Sequence, residues 1–256
     1  MLPAEPLCAE LEATTASLAA LVDRMDQDLP IPACPDWTLR QLATHVGRAH
    51  RWAAEIVGTR SAGFIEFRSV PDGKAPGSAA DQARWLTAGA VKLTGAVREA
   101  GDDLVWAFGE LRPAVFWVRR MAHETLVHCA DAQVAAAEEA DMQAESAADA
   151  IDEWLTVMSR LNAGQHDLAS VLPAGRSLHV HATDPGLGPA GEWLVRHPPG
   201  ESVQVLSEHG RADAALTGPA ASVLLVLMRR LPATDGSVRV FGDAALLDRW
   251  LELTAF

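Results

Sequence analysis

Apolar residues recur at helical spacing from about Glu5 to Met25, where Leu7, Leu11, Leu18, Leu21 and Val22 define one face. The breaker-rich segment Leu29-Pro-Ile-Pro-Ala-Cys-Pro35 closes that helix. An amphipathic stretch from Leu39 to Val57 predicts a second helix, with Asp36 or Thr38 placed to accept an orphan backbone N–H at its start. A segment rich in Gly, Ser and Pro, Gly58 to Gly77, reads as a long loop. Helical periodicity resumes from Ser78 to Ala100 and, after a connection over Leu104 to Pro113, from Ala114 to about Ala140, a stretch without Gly or Pro. A fifth helical run, Ala144 to Leu161, is expected to pack on this bundle.

The pattern changes near Gly164. Ser177 to Thr183 and Ser202 to Leu206 alternate in polarity, and Trp193 to His197 is a short run ending at Pro-Pro-Gly, as strands between turns do. Ala212 to Leu216 and Val238 to Phe241 predict further strands; Pro219 to Arg230 and Asp243 to Leu253 predict two helices. The fold class expected is therefore α+β in two domains, a helical one over 1–163 and a small one over 164–256 with a short sheet and two helices. A length of 256 residues suits two compact units.

Hydrophobic residues at 49% against 21% charged suit a folded globular protein and exclude disorder. The longest apolar stretch, Ala220 to Met228, is far shorter than the roughly 20 residues of a membrane span. The first residues carry early acids and no basic segment ahead of an apolar one, so no secretory signal is read and a cytoplasmic location is expected. A formal charge of −13 repels phosphate backbones and anionic lipid, which argues against nucleic-acid and membrane partners. Cys8, Cys34 and Cys129 are an odd number without a C-x-x-C pair, as expected of reduced thiols.

Chemistry concentrates in the fourth helix. Glu124 and His128 are four residues apart and share a face, at a separation that suits two ligands of one ion or, equally, an ordinary surface pairing. His45, midway along the second helix, could face them across the bundle core. His123 and His128 are five apart, about 140° around the helix, so the zincin motif is excluded and His123 is a surface or supporting residue. His50 stands in the same relation to His45 and faces elsewhere. Asp131, seven residues beyond Glu124, could hydrogen-bond a liganding imidazole or cap the helix. His179 and His181 share one face of a strand, a pairing that polar strand faces carry routinely. Cys129 turns about 100° from His128 and reads as a core thiol. No P-loop, dinucleotide fingerprint or nucleophile elbow is present.

Asp36-Trp37-Thr38 with Leu42-Ala-Thr-His45-Val-Gly, followed by Arg119-Arg-Met-Ala-His-Glu124-Thr-Leu-Val-His128 and Asp131, resembles the mycothiol-dependent maleylpyruvate isomerase family. Asp213-Ala-Ala-Leu-Thr-Gly-Pro-Ala, Leu224-Leu-Val-Leu-Met-Arg-Arg and Val240-Phe-Gly-Asp-Ala-Ala-Leu-Leu-Asp-Arg-Trp are similar to its C-terminal part, so the resemblance covers nearly the whole chain. It implies a DinB-like up-and-down four-helix bundle, a small SCP2-like α/β domain and an actinobacterial source. It also implies a divalent metal, zinc, on His45, Glu124 and His128.

The cosubstrate it implies is mycothiol, whose zinc-activated thiolate adds to the double bond of a small electrophile. Rotation and elimination would give the trans isomer. Arg230 matches the position of an Arg suited to substrate carboxylates. Two departures fall near the expected pocket: Cys129-Ala130 where the family usually carries Arg or another large residue, and Met228-Arg229 where Trp-Gly is usual. Three readings follow: an isomerase that regenerates mycothiol, an S-transferase that consumes it, and a non-catalytic metal- or ligand-binding module. A monomer or homodimer is expected.

Overall fold

A computed structural model describes residues 2–161 and 171–254. The chain divides into two compact units, Leu2–Asp141 and Met142 onward. The first contains helices α1 (Ala4–Arg24), α2 (Leu39–Gly58), α3 (Ala79–Ala100) and α4 (Val115–Ala135), with a hairpin of β1 (Leu104–Ala107) and β2 (Glu110–Pro113) between α3 and α4. α1 packs on α3 and α4, and α2 on the same two, while α1 and α2 barely meet. Successive helices α1 and α2 therefore lie on one diagonal of the bundle, and α3 and α4 on the other.

Local chemistry explains the boundaries. Thr38, and not Asp36, caps α2: its side chain accepts from the Gln41 N–H while Gln41 Oε1 accepts from the Thr38 N–H, a reciprocal capping box. Ser78 caps α3 with its side chain alone, accepting from the Asp81 N–H while its hydroxyl donates to the Asp81 carboxylate. The hairpin replaces the featureless connection expected over 104–113. Its two turn residues, Phe108 and Gly109, both have positive φ (49° and 94°), the type I′ pattern, but Phe at a position that favours Asn or Gly hides the turn. α4 stops at Ala135, short of the expected Ala140. Ala137 is left-handed (φ 59°), and its N–H and that of Glu138 return to Val134 and Gln133, a Schellman end built without glycine.

Two apolar clusters fill the bundle, one around Leu7, Leu11, Trp52, Trp117 and Met121, the other around Leu18, Val22, Leu42, Val46, Trp85 and Cys129. The turn of α4 from Glu124 to His128 lies between their contributions. α2 and α3 approach closely because Gly47 leaves room for the Trp85 ring, which a Cβ there would meet at 2.0 Å. The Arg51 guanidinium sits 4.1 Å from that ring's centroid and donates to the Gly47 and Trp85 carbonyls.

The second unit contains α5 (Ala144–Leu161), β3 (Ser177–Ala182), β4 (Glu192–Arg196), β5 (Gln204–Leu206), β6 (Ala214–Gly218), α6 (Ala220–Leu227), β7 (Arg239–Gly242) and α7 (Ala244–Leu253). This corrects the expected division. α5 belongs here and not to the bundle: it packs on α6 and reaches β5, its Ile151 and Leu155 are buried, and its Asp152 accepts from Trp193 Nε1 on β4. The seam expected near Gly164 falls on 162–170, outside the described residues. The unit thus holds three described helices rather than two.

Its sheet runs β5-β4-β3-β6-β7, with β3 and β6 parallel and the other neighbours antiparallel. Leu178, Val180, Trp193, Val195, Ala214 and Leu216 point to one face and are buried; His179, His181, Glu192, Leu194 and Thr217 point to the other. Among the described residues no helix is long and apolar enough to cross a membrane.

Candidate metal centre

α2 and α4 bring three sequence-predicted residues together. His45 Nε2 lies 2.9 Å from Glu124 Oε1, and His128 Nε2 lies 3.4 Å from the same oxygen. One donor atom from each of His45, Glu124 and His128 falls within 4.8 Å of the others. Exposure grades across the cluster, with side chains 40% accessible at His45, 23% at Glu124 and 11% at His128, so it opens to solvent on the His45 side.

His128 and Glu124 are each held from behind by further contacts. His128 Nδ1 faces Asp131 Oδ2 at 3.0 Å, which commits Nδ1 as the N–H and leaves the Nε2 lone pair directed at Glu124 and His45. Cys34 Sγ also donates to Asp131 Oδ2, at 3.7 Å. Arg120, one turn before Glu124, donates to Glu124 Oε2 and leaves Oε1 for the histidines. The Trp37 ring stacks near His128 and lies 5.1 Å from His45. Cys34, Trp37 and Arg120 were not singled out from the sequence. The (i, i+4) spacing of Arg120 and Glu124 was the one available clue.

Charge follows from these contacts. Burial opposes ionisation of Glu124, but the Arg120 guanidinium and the two imidazoles outweigh it and hold the carboxyl well below its usual range. Burial likewise opposes charge on His128, yet the Asp131, Cys34 and Glu124 contacts raise it well above 6.5.

The donor set fits a divalent ion of the zinc class: two imidazole nitrogens and one carboxylate oxygen, with a carboxylate orienting one imidazole from behind. A second trio, Cys34, His128 and Asp131, is also within reach of one another. It would use His128 Nδ1, and the Asp131 side chain is fully buried, so it is closed where the first is open.

The other predicted residues fall as follows. His123 is buried and is not a member of either trio. His50 faces away, and its Nε2 meets Thr125 Oγ1 at 2.8 Å. Because that hydroxyl gives its proton to the Met121 carbonyl at 2.6 Å, His50 Nε2 must donate. Cys129 is buried among leucines, and burial pushes its thiol up to about 12. Arg230 follows α6 in the second unit and donates to the Met228 carbonyl at 2.8 Å. Arg229 beside it is left-handed (φ 61°) and completes a Schellman end, so the backbone keeps a conformation suited to glycine although the residue is Arg.

Residues 8–133 match the mycothiol maleylpyruvate isomerase N-terminal domain, and residues 145–249 match the C-terminal domain of the same family. The chain belongs to this family. Among solved structures, a mycothiol-dependent maleylpyruvate isomerase and a histidine-to-alanine mutant of a mycothiol-dependent maleylpyruvate isomerase share its fold. The mutant is 14% identical with a TM-score of 0.58. The other is 15% identical with a TM-score of 0.52, and in both cases the match covers 93% of each chain. Among curated proteins none matches.

Proposed function

We propose that this family member is a mycothiol-dependent metalloenzyme in which His45, Glu124 and His128 hold a divalent cation, zinc in the first instance. The observation that carries the reading is the convergence of those three side chains on one point with an open side at His45. Such a cation, when bound, would stabilise the thiolate form of an incoming thiol at neutral pH. Asp131 fixes the His128 tautomer, Arg120 restrains Glu124, and Trp37 walls the two imidazole rings.

Membership of the mycothiol-dependent family supports a mechanism using the sulfur of a cosubstrate. Addition of that sulfur to a conjugated cis double bond leaves a single bond; rotation and expulsion of the same thiolate restore the double bond as trans. For the carboxylates of such a substrate we propose Arg48 of the first unit. Arg48 lies one turn beyond His45 and lines a cleft of about 570 Å³ with Arg68 and Lys74. A reducing, cytoplasmic setting accords with the three free thiols.

Metal analysis of the untagged protein, with His45→Ala and His128→Ala variants, tests the site: zinc bound to the wild type should be lost from this centre in both variants with the helical circular dichroism unchanged. Full occupancy in both would overturn the assignment. Incubation with mycothiol and maleylpyruvate tests the reaction. Trans product with mycothiol regenerated supports isomerisation, and stoichiometric conversion of mycothiol to a conjugate seen by mass spectrometry replaces it with S-transfer. No product and no conjugate would leave the non-catalytic module.

A further inference from the structure

The second unit contains a cluster that the reading above does not use. On the sheet face turned away from α5, Glu192 Oε2 meets His179 Nε2 and His209 Nδ1, each at 2.8 Å, while His181 Nε2 lies 3.6 Å from Glu192 Oε1. Three imidazoles thus surround one carboxylate, with ring centroids 5.1 to 6.3 Å apart.

Strand geometry supplies three of these residues. His179 and His181 are two apart on β3, and Glu192 is the register partner of His181 on β4, so all three project from one face. His209 arrives by another route. The chain leaves β5 at one edge and must pass β4 and β3 to reach β6, and 207–213 makes that crossing over this face. The crossing lies tight on the sheet: a Cβ on Gly210 would stand 2.9 Å from Leu194 Cδ2. The backbone therefore sets His209 over Glu192, although its own side chain is 75% exposed.

Charge balance does not require this arrangement. One imidazolium neutralises one carboxylate, and the remaining rings bring no further ion-pair gain. A divalent cation, by contrast, needs a surplus of neutral nitrogen donors beside an anionic oxygen. We propose that His179, Glu192 and His209 form a second binding site for a divalent transition metal of the zinc class, with His181 available as a fourth donor, and that the ion clamps the 207–213 crossing to the sheet. One donor atom from each of the three principal residues lies within 4.8 Å of the others.

The test uses the full-length, chelator-stripped chain and zinc alone as the probe. In a His45→Ala/His128→Ala background, one zinc per chain should still bind at micromolar free zinc and raise the unfolding temperature of the second unit. Adding His209→Ala, an exposed crossing residue whose loss leaves the core intact, should abolish both effects; Glu192→Gln should do the same while nearly preserving shape. Absence of zinc binding in that background, or binding that survives both changes, overturns the proposal. The two centres fail separately. Zinc that depends on His209 alone refutes the thiol-activating site and upholds this one, and zinc that depends on His45 and His128 alone does the reverse.

Discussion

His50 is fully buried, and burial together with the neighbouring Arg51 charge lowers its pKa from 6.5 to about 3. Because the folded value lies below the unfolded one, the unfolded chain binds more protons between them, and stability falls as pH drops through 6.5 toward 3. With those two values, the loss at pH 5 relative to pH 8 is about 2 kcal/mol. His50→Gln removes the titration while its amide N–H can still reach Thr125 Oγ1. Urea unfolding with a chelator present, at pH 8 and pH 5, should show the wild type losing about 2 kcal/mol more than the variant. A wild-type-minus-variant difference that stays constant across that range, within the error of extrapolation, would show that His50 is not held neutral in the core.

Three further outcomes are expected. Asp131→Ala frees His128 to change tautomer and should weaken zinc at the first centre by roughly 10- to 100-fold in chelator competition, and unchanged affinity would remove its orienting role. Gly47→Ala should destabilise the bundle by about 1–3 kcal/mol, since Trp85 must move, even though Ala is the better helix former; a neutral or stabilising effect in thermal melts refutes the close α2–α3 approach. Arg229→Gly should stabilise the second unit by about 1 kcal/mol in urea unfolding, because only the non-glycine residue is strained at φ 61°, and a destabilising result would mean that the Arg229 side chain matters more than its backbone.

Most helices and strands were legible because they follow apolar periodicity, and the places where the reading fell short share a cause. Phe108, Ala137 and Arg229 take left-handed backbone without being Gly or Asn, so the turn and two helix ends they make carry no compositional mark. The placement of α5 was hidden for another reason: an amphipathic helix declares that it has a partner but not which one. At the first centre, Glu124 and His128 could be paired from spacing, whereas bundle geometry only allowed His45 to face them and the resemblance singled it out as a ligand. Cys34 and Trp37 come from a loop whose path no local pattern encodes. His209 was missed because its neighbours on β3 and β4 are reached only through the order of strands in the sheet.

The diagonal placement of α1 opposite α2 has a kinetic consequence. His45 and Glu124 are 79 residues apart in sequence, and the helices carrying them meet only after the chain has crossed the bundle. The first centre therefore cannot seed folding through local contacts, as metal does in a small finger domain. Its ion would be captured late, by an assembled bundle, so the rate of zinc uptake during refolding would report when the last long-range docking step is complete.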